Sequence, residues 1–413
     1  MRQILDLHIH SRYSRACSPK LYLKEIEESC VKKGVDIIAT GDFTFPAWLK
    51  EIKENLQEIK NGSGLYKIKG SNSNVKFILS TELSLIYKEG EKVRRVHLMV
   101  QAPNIKAVEE LNKYLDKHFN INSDGRPILG MKAPELVKLC LKIHPQFLIY
   151  PAHIWTPWFS VLGSKSGFNS LEECFKEEVE NIYAYETGLS SDPEMNWRVS
   201  ELDNLTCLSN SDAHSLKNIG REANIFDLEE ISYKEIYRVI KDRNLKSLQG
   251  TIEFYPQEGM YYFDGHRDCK FSCSPKETKR LNNICPVCKK SLVIGVLNRV
   301  NQLADRKDNF KLKSASPFYH LIELDKIICQ VLNIKNRESK MVKKEYQYLL
   351  NNFGSELDIL LNIELKKLKD KVNPKIIEAI KRVRQENLLI KPGYDGFYGE
   401  INIFKKDELS SIK

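Results

Sequence analysis

Asp6-Leu7-His8-Ile9-His10 opens the chain, and Ser211-Asp212-Ala213-His214 stands far downstream of it. Between them Asp42, Glu82, His97, His153 and Glu186 each lie in or at the end of a short apolar run. Imidazoles and carboxylates recurring in that phase suit a centre of two or three divalent ions. In an extended strand, residues two apart share a face, so His8 and His10 point the same way. Paired imidazoles fit zinc, manganese or iron better than magnesium, though carboxylate-rich sites also accept magnesium. Glu82 ends its run with a carboxylate able to bridge two ions. His97 sits inside an otherwise apolar strand, where an unpartnered imidazole is costly and calls for a carboxylate, a carbonyl or a metal. Pro151-Ala152-His153 and the Asp212–His214 turn add further ligands. Two such ions hold phosphate oxygens and lower the pKa of a bound water, which is the chemistry of phosphate-ester hydrolysis. Glu82, Asp212 and Glu186 are the candidate catalytic carboxylates. Glu186 either orients the attacking water or backs the ligands as a cap.

A second cluster lies at Cys269-x3-Cys273 and Cys285-Pro286-Val287-Cys288, with His266 close by. Cys-Pro-x-Cys makes a tight turn that converges two thiolates, so one structural zinc is expected on Cys269, Cys273, Cys285 and Cys288, with His266 as the alternative fourth ligand. The other cysteines are scattered and read as reduced core residues of a cytoplasmic protein.

Alternating elements must position these groups. Strands are expected at Ile4–His10, Val35–Asp42, Lys76–Leu83, Arg95–Val100, Phe147–His153, Ile182–Glu186 and Thr206–Asp212. Helices are expected at Tyr22–Lys33, Ala47–Lys60, Ile105–Phe119, Pro134–Ile143 and Leu171–Glu178. Ligands at strand ends favour an α/β fold of the β/α-barrel type. After Arg221 the pattern changes. Residues 1–228 are expected to form the catalytic barrel, and residues 229–306 a connecting segment with the zinc finger at about 262–292. Residues 307–413 form a mainly helical, basic C-terminal region. That last region holds 21 Lys and Arg against 15 Asp and Glu, most of the net charge of +9. Such an excess fits an acidic polymer or simply solvated helix faces. No apolar run is long enough for a membrane span.

The stretch after His153 is rich in aromatics: Trp155, Trp158 and Phe159 could line a base-sized slot, or pack as core at the barrel mouth. Ser164, Lys165 and Ser166 are candidates for phosphate contact. Arg198 and Arg221 are candidate phosphate clamps, or partners in structural ion pairs.

The order His-x-His, Asp, Glu, His, Pro-Ala-His, Ser-Asp-Ala-His resembles the PHP (polymerase and histidinol phosphatase) family. The resemblance implies a distorted seven-stranded β/α barrel that hydrolyses phosphate esters with up to three metals. Carried over by position, His8, His10, Glu82 and Asp212 hold the first ion. Glu82 bridges to a second on His97 and His153, and His214 belongs to a third, which could be rebuilt with Asp42. Phe43 stands where the family often has His, and Arg15-Ala16-Cys17 where another His is expected, so a two-metal centre is the safer expectation. More closely, Pro151–Phe159, Glu186–Pro193, Ser209–His214, Gly220–Asn224, Tyr262–Cys269 and Cys285–Cys288 resemble the endonuclease Q family, a DNA-repair branch of the PHP proteins. That resemblance implies cleavage of double-stranded DNA on the 5′ side of deaminated bases (uracil, hypoxanthine, xanthine) or at abasic sites, with the base flipped out. The rival expectations are another PHP phosphoesterase, either a small-molecule phosphatase or an exonuclease, and a non-catalytic DNA-binding protein.

Overall fold

The computed structural model describes residues 1–405 and 408–410. Short strands ring a buried centre. β1 (Arg2–Asp6), β2 (Ile37–Ala39) and β3 (Lys76–Ile78) run parallel. β4 (Ser80–Glu89) and β5 (Lys92–Gln101) form a long hairpin, and β5 pairs antiparallel with β6 (Leu148–Pro151). β7 (Ala184–Glu186) and β8 (Thr206–Leu208) are again parallel. The ring closes by single bonds where ladders stop. Ala102 N donates to Leu79 O (3.0 Å), Ile154 N to Glu186 O (2.9 Å) and His10 N to Ala213 O (3.1 Å). The expected run Lys76–Leu83 divides at Leu79 into β3 and β4. Taken as one run, it leaves seven strands round the centre, in the distorted β/α-barrel arrangement expected.

The hairpin is where the fold departs from a parallel barrel. β4 runs on to Glu89 because Leu83, Leu85 and Tyr87 bury one face at period two. Two expected helices are shorter than their periodicity suggested. The helix Pro46–Asn55 stops because Leu56–Glu58 pairs instead with Leu65–Ile68. The helix Leu171–Phe175 gives way to a tighter turn at Lys176, whose φ of +51° no α-helix accommodates. The leucine spacing over Leu357–Leu368 does not make one long helix; it breaks into the single turns Asp358–Asn362 and Leu365–Lys367. The first covering helix, Leu23–Lys33, follows its pattern. Leu23, Ile26 and Cys30 face the core, and Gly34 ends it in the left-handed region, returning its N–H to Cys30 O.

Beyond the ring, β9 (Ala223–Asp227) pairs with β1, β10 (Leu248–Glu253) with β9, and β11 (Phe318–His320) with β10. The chain after the polar stretch at 305–316 thus lays a strand on the barrel's own sheet. His320, at the end of β11, lies 3.5 Å from Asp192 and 3.2 Å from Glu386. Burial opposes its charge, but those two carboxylates push its pKa up to about 10, so it tethers the C-terminal helices to the barrel as a cation. The strands Leu389–Lys391 and Glu400–Asn402 pair around the Pro392–Gly396 turn. That turn docks on the segment expected to hold zinc: Phe263 N donates to Gly393 O, and Gly396 N to Met260 O, both at 2.9 Å. Among the described residues, no helix is long and apolar enough to cross a membrane.

Candidate metal centre

The ring brings seven of the predicted groups together. His8 and His10 lie just beyond β1, Glu82 near the start of β4, His97 inside β5, His153 after β6, and Asp212 beyond β8. The ligand atoms of His8, His10, Glu82 and Asp212 lie within 4.8 Å of one another, and so do those of Glu82, His97 and His153. Glu82 belongs to both sets. Its Oε1 is 2.7 Å from His97 Nδ1 and 3.0 Å from His153 Nε2, while Oε2 is 3.2 Å from His10 Nε2 and 3.6 Å from His8 Nε2. Glu186, the seventh, packs behind His8. Glu82 and His97 come from the antiparallel hairpin, so the rule that ligands fall at the C-terminal ends of strands holds only for the others.

The donor set fits two divalent ions. His8 Nε2, His10 Nε2 and Asp212 Oδ1 are buried, make no hydrogen bond and converge on one point. An unpaired buried polar atom is costly, and three aimed together mark a cation site. Burial pushes the His97 pKa down to about 4, with Glu82 opposing it, which keeps that ring in the neutral, ligating form. Burial would raise Glu82 and Asp212. The neighbouring imidazole of His97 and the Arg126 guanidinium win for Glu82, and His8 wins for Asp212, holding both well below the usual carboxylate range.

One expected role changes, and one open alternative is narrowed. Asp42 is not among the converging ligands; it stands behind His10, with Oδ1 3.0 Å from Nδ1. Its other oxygen accepts from Ser11 N, Ser11 Oγ and Ser14 Oγ. Glu186 lies behind the ligands, not among the converging atoms. It accepts from His8 Nδ1 (3.0 Å), from the His153 backbone N–H (2.8 Å) and from Asn210 Nδ2 (2.8 Å). Each carboxylate therefore holds one imidazole in the tautomer that presents Nε2 to the centre. Glu186→Gln is expected to weaken metal binding roughly 10- to 100-fold without unfolding the barrel, measured as the metal concentration that half-restores bound metal. Unchanged affinity would remove this role. His214 also stays out of the converging sets among the described residues. Its Nδ1 is 2.8 Å from Asp212 O, and its ring lies 4.6 Å from that of His10.

Asp42, His153 and Asp212 have φ values of +48°, +30° and +46°. Non-glycine residues there carry backbone strain, which persists where the surroundings over-determine it. A Cβ on Gly188 would lie 2.5 Å from His153 Cβ, so only glycine lets the next strand end pass so close. Arg126 is a site residue that the spacing of the other ligands does not reveal. Its Nη1 donates to Glu82 Oε2 at 2.9 Å.

The aromatic stretch divides. Trp155 is fully buried, and its Nε1 donates to Asn196 Oδ1 at 2.7 Å, so it is core and offers no face to a base. Ser166 is also spent internally, accepting from Phe159 N and donating to Arg95 O. Phe159 packs 4.7 Å from the His97 ring, and Trp158 is 38% exposed and edge-on to Tyr261. Lys165 is exposed beside them, and Ser164 is partly so. Arg198 is buried against Asn301 and Asp308, a structural pairing and not a clamp. Arg221 donates Nε to Ser211 O and buttresses the Asp212 turn.

At the zinc segment His266, Cys269, Cys285 and Cys288 converge within 4.8 Å. Cys273 is displaced from the expected set. Its sulfur turns inward to Thr278 Oγ1 (3.2 Å), and His266 takes the fourth corner.

Comparison with known proteins is consistent with this geometry. A family model described as PHP-associated matches residues 194–245, and one for the MJ0043 C-terminal domain matches residues 323–387. The uncharacterized protein MJ0043 of Methanocaldococcus jannaschii is 31% identical over 255 residues, 60% of this chain; the chain spans only 31% of that protein's length. The uncharacterized protein YqxK of Bacillus subtilis is 27% identical over 414 residues, 96% of this chain and 98% of that one. Among solved structures, the lesion-specific endonuclease PfuEndoQ from Pyrococcus furiosus superposes with a TM-score of 0.86 at 31% identity, over 100% of both chains. Endonuclease Q in complex with a 27-mer duplex substrate carrying an abasic lesion at its active site gives the same values. With the converging ligands and a match that runs end to end, the chain belongs to the endonuclease Q family, DNA-repair nucleases of the PHP group.

Proposed function

We propose that this chain hydrolyses the phosphodiester on the 5′ side of uracil, hypoxanthine or xanthine in double-stranded DNA, and at abasic sites. The observation that carries the reading is Glu82. One of its oxygens faces each imidazole set, inside a chain that matches endonuclease Q over its full length. In this reading His8, His10, Glu82 and Asp212 hold one divalent ion (zinc, manganese or magnesium), and Glu82, His97 and His153 hold another. Bound there, the ions supply a Lewis acid for the phosphate oxygens and a water acidified toward neutral pH. The chain's own residues do the rest. Glu186 and Asp42 fix the imidazole tautomers. Thr156 and Ser160 hold His153 Nδ1 at 3.1 and 3.0 Å, so that Nε2 faces inward. Asp212, the most open carboxylate of the set, lines the mouth where a phosphate enters.

A base inside a duplex cannot bring its phosphate to so buried a centre, so the strand must distort and the base must unstack. Phe159 packs near His97, and the partly exposed Trp158, next to it in the chain, meets Tyr261; these are the aromatic faces available to an unstacked base. Lys165 and Arg95 are exposed cations next to them, an arrangement suited to unpaired nucleotides. The zinc segment and basic C-terminal region extend the grip on the duplex. Residence in the cytoplasm follows from this reading.

The test is a nicking assay on duplexes carrying one uracil, hypoxanthine or abasic site, with divalent metals varied and His8→Ala as the inactive control. Lesion-dependent nicks on the 5′ side are expected, and Trp158→Ala is expected to erode the preference for uracil over thymine. Hydrolysis of p-nitrophenyl phosphate with no lesion-dependent nick under any metal would sink the reading in favour of a phosphatase.

A further inference from the structure

Arg126 lies in a place where metal ions alone would not favour it. The centre offers two carboxylates, Glu82 and Asp212, to its converging ligand sets; the other ligands are imidazoles. Two divalent ions would already leave it positive, and a guanidinium 2.9 Å from Glu82 Oε2 adds a further cation. Like charges at that range repel, all the more where water is scarce. The arrangement nevertheless looks built. The turn Asp124-Gly125-Arg126-Pro127 is pinned on three sides: Gly125 N donates to Tyr13 O (3.0 Å), Ser84 N to Pro127 O (3.1 Å) and Arg126 N to Asp124 Oδ1 (3.0 Å). A Cβ on Gly125 would lie 2.4 Å from Asp42 Oδ2 and from Ser14 Oγ, so the turn passes against the site with no room for a side chain. The Arg126 side chain is 24% exposed, one of its nitrogens meets Glu82, and the Asp212 carboxylate also acts on its charge. Among the described residues its guanidinium makes no other hydrogen bond.

We infer that Arg126 binds a non-bridging oxygen of the scissile phosphate beside the metal pair, and is a catalytic residue of the reaction proposed above. A phosphodiester is the anion that offsets a third positive group, and its charge grows in the transition state. A planar fork can bond Glu82 with one nitrogen and a phosphate oxygen with another. Phe43, fully buried, stands where the PHP resemblance expects a histidine, and the next residue, Thr44, reaches Gly125 O at 3.5 Å. A fixed guanidinium there supplies positive charge that no ligand set holds.

This inference rests on the phosphodiesterase reading, so it is tested on phosphate itself as well as on DNA. Binding of inorganic phosphate to the metal-loaded full chain is measured by calorimetry, and metal content by elemental analysis, for wild type, Arg126→Ala and Arg126→Lys. Arg126→Ala is expected to keep both metals and weaken phosphate roughly 10- to 100-fold. Arg126→Lys should fall between the two. On lesion DNA, Arg126→Ala should lower kcat far more than it raises KM, because most of the duplex is held elsewhere. Loss of metal in Arg126→Ala would show that Arg126 only steadies Glu82, and would overturn the inference. So would phosphate affinity unchanged by the substitution, or a metal-loaded wild type that binds no phosphate. A wild type that binds phosphate through Arg126 yet nicks no lesion DNA would instead sink the DNA reading alone.

Discussion

Glu82→Ala is expected to cost nicking the several kcal/mol that metal-assisted charge stabilisation supplies, roughly 10³- to 10⁴-fold in rate constant. Among the described residues no other side chain is shared by both ligand sets, so this loss should exceed that of any single histidine. His97→Ala should strip one ion and leave the His8–His10 set filled; Glu82→Ala should impair both. Elemental analysis beside single-turnover nicking separates the cases. The carboxylate also lies between His97, His10 and Arg126, and its negative form is stabilised by them. Its removal leaves cationic groups facing one another, so apo Glu82→Ala should melt below apo wild type. Glu82→Gln keeps the shape and is the control for that packing loss. A Glu82→Ala protein that retains two tightly bound metals would contradict the bridging role, whatever its activity.

Much of this centre could be read from the chain because metal ligands impose residue type and phase together. His8 and His10 two apart at a strand end, Pro151-Ala152-His153, and Asp212 in a turn all stood where the fold needs them. The sequence could not show which side of an imidazole a carboxylate occupies. Asp42 and Glu186 lie at strand ends like true ligands, and only the direction of His10 and His8 makes them orienting partners. Backbone reversals were also hidden. Positive φ at His153 and Phe159 redirects the aromatic stretch, burying Trp155 and bringing Phe159 to His97. Arg126 follows no apolar period; its signal was a tight Asp-Gly turn before a proline, which marks geometry without naming a destination. The choice between Cys273 and His266 was left open for a similar reason. Spacing counts cysteines, but the His266–Phe271 pairing of a two-stranded ribbon decides which groups face inward.

That ribbon sets the second large effect. Its own core is small: Cys273, Cys285 and Leu292, with Phe271 and Leu281 packed on it. So little buried apolar surface does not order a segment of this size unaided, and a metal on the His266, Cys269, Cys285 and Cys288 group would supply the difference. Structural zinc contributes about 10–16 kcal/mol in isolated zinc fingers. Cys285→Ser should therefore release one zinc equivalent and unfold the segment between about 266 and 292 while the barrel stays folded. Limited proteolysis should cut there, and the main melting transition should move little. His266→Ala should behave the same way, whereas Cys273→Ala should keep its zinc, because its thiol faces Thr278. The consequences extend past the segment. Arg267 N donates to Asp395 Oδ2 at 2.6 Å, and Phe263 N to Gly393 O, so an unfolded ribbon frees the C-terminal turn as well. Affinity for lesion duplex should drop sharply, and with it kcat/KM at low DNA concentration. Phosphate binding at the barrel centre should be unaffected, because none of its ligands touches the ribbon. If Cys273→Ala loses zinc and His266→Ala retains it, the fourth ligand is the cysteine after all. If Cys285→Ser binds duplex as wild type does, the ribbon is a staple and the grip on DNA lies elsewhere.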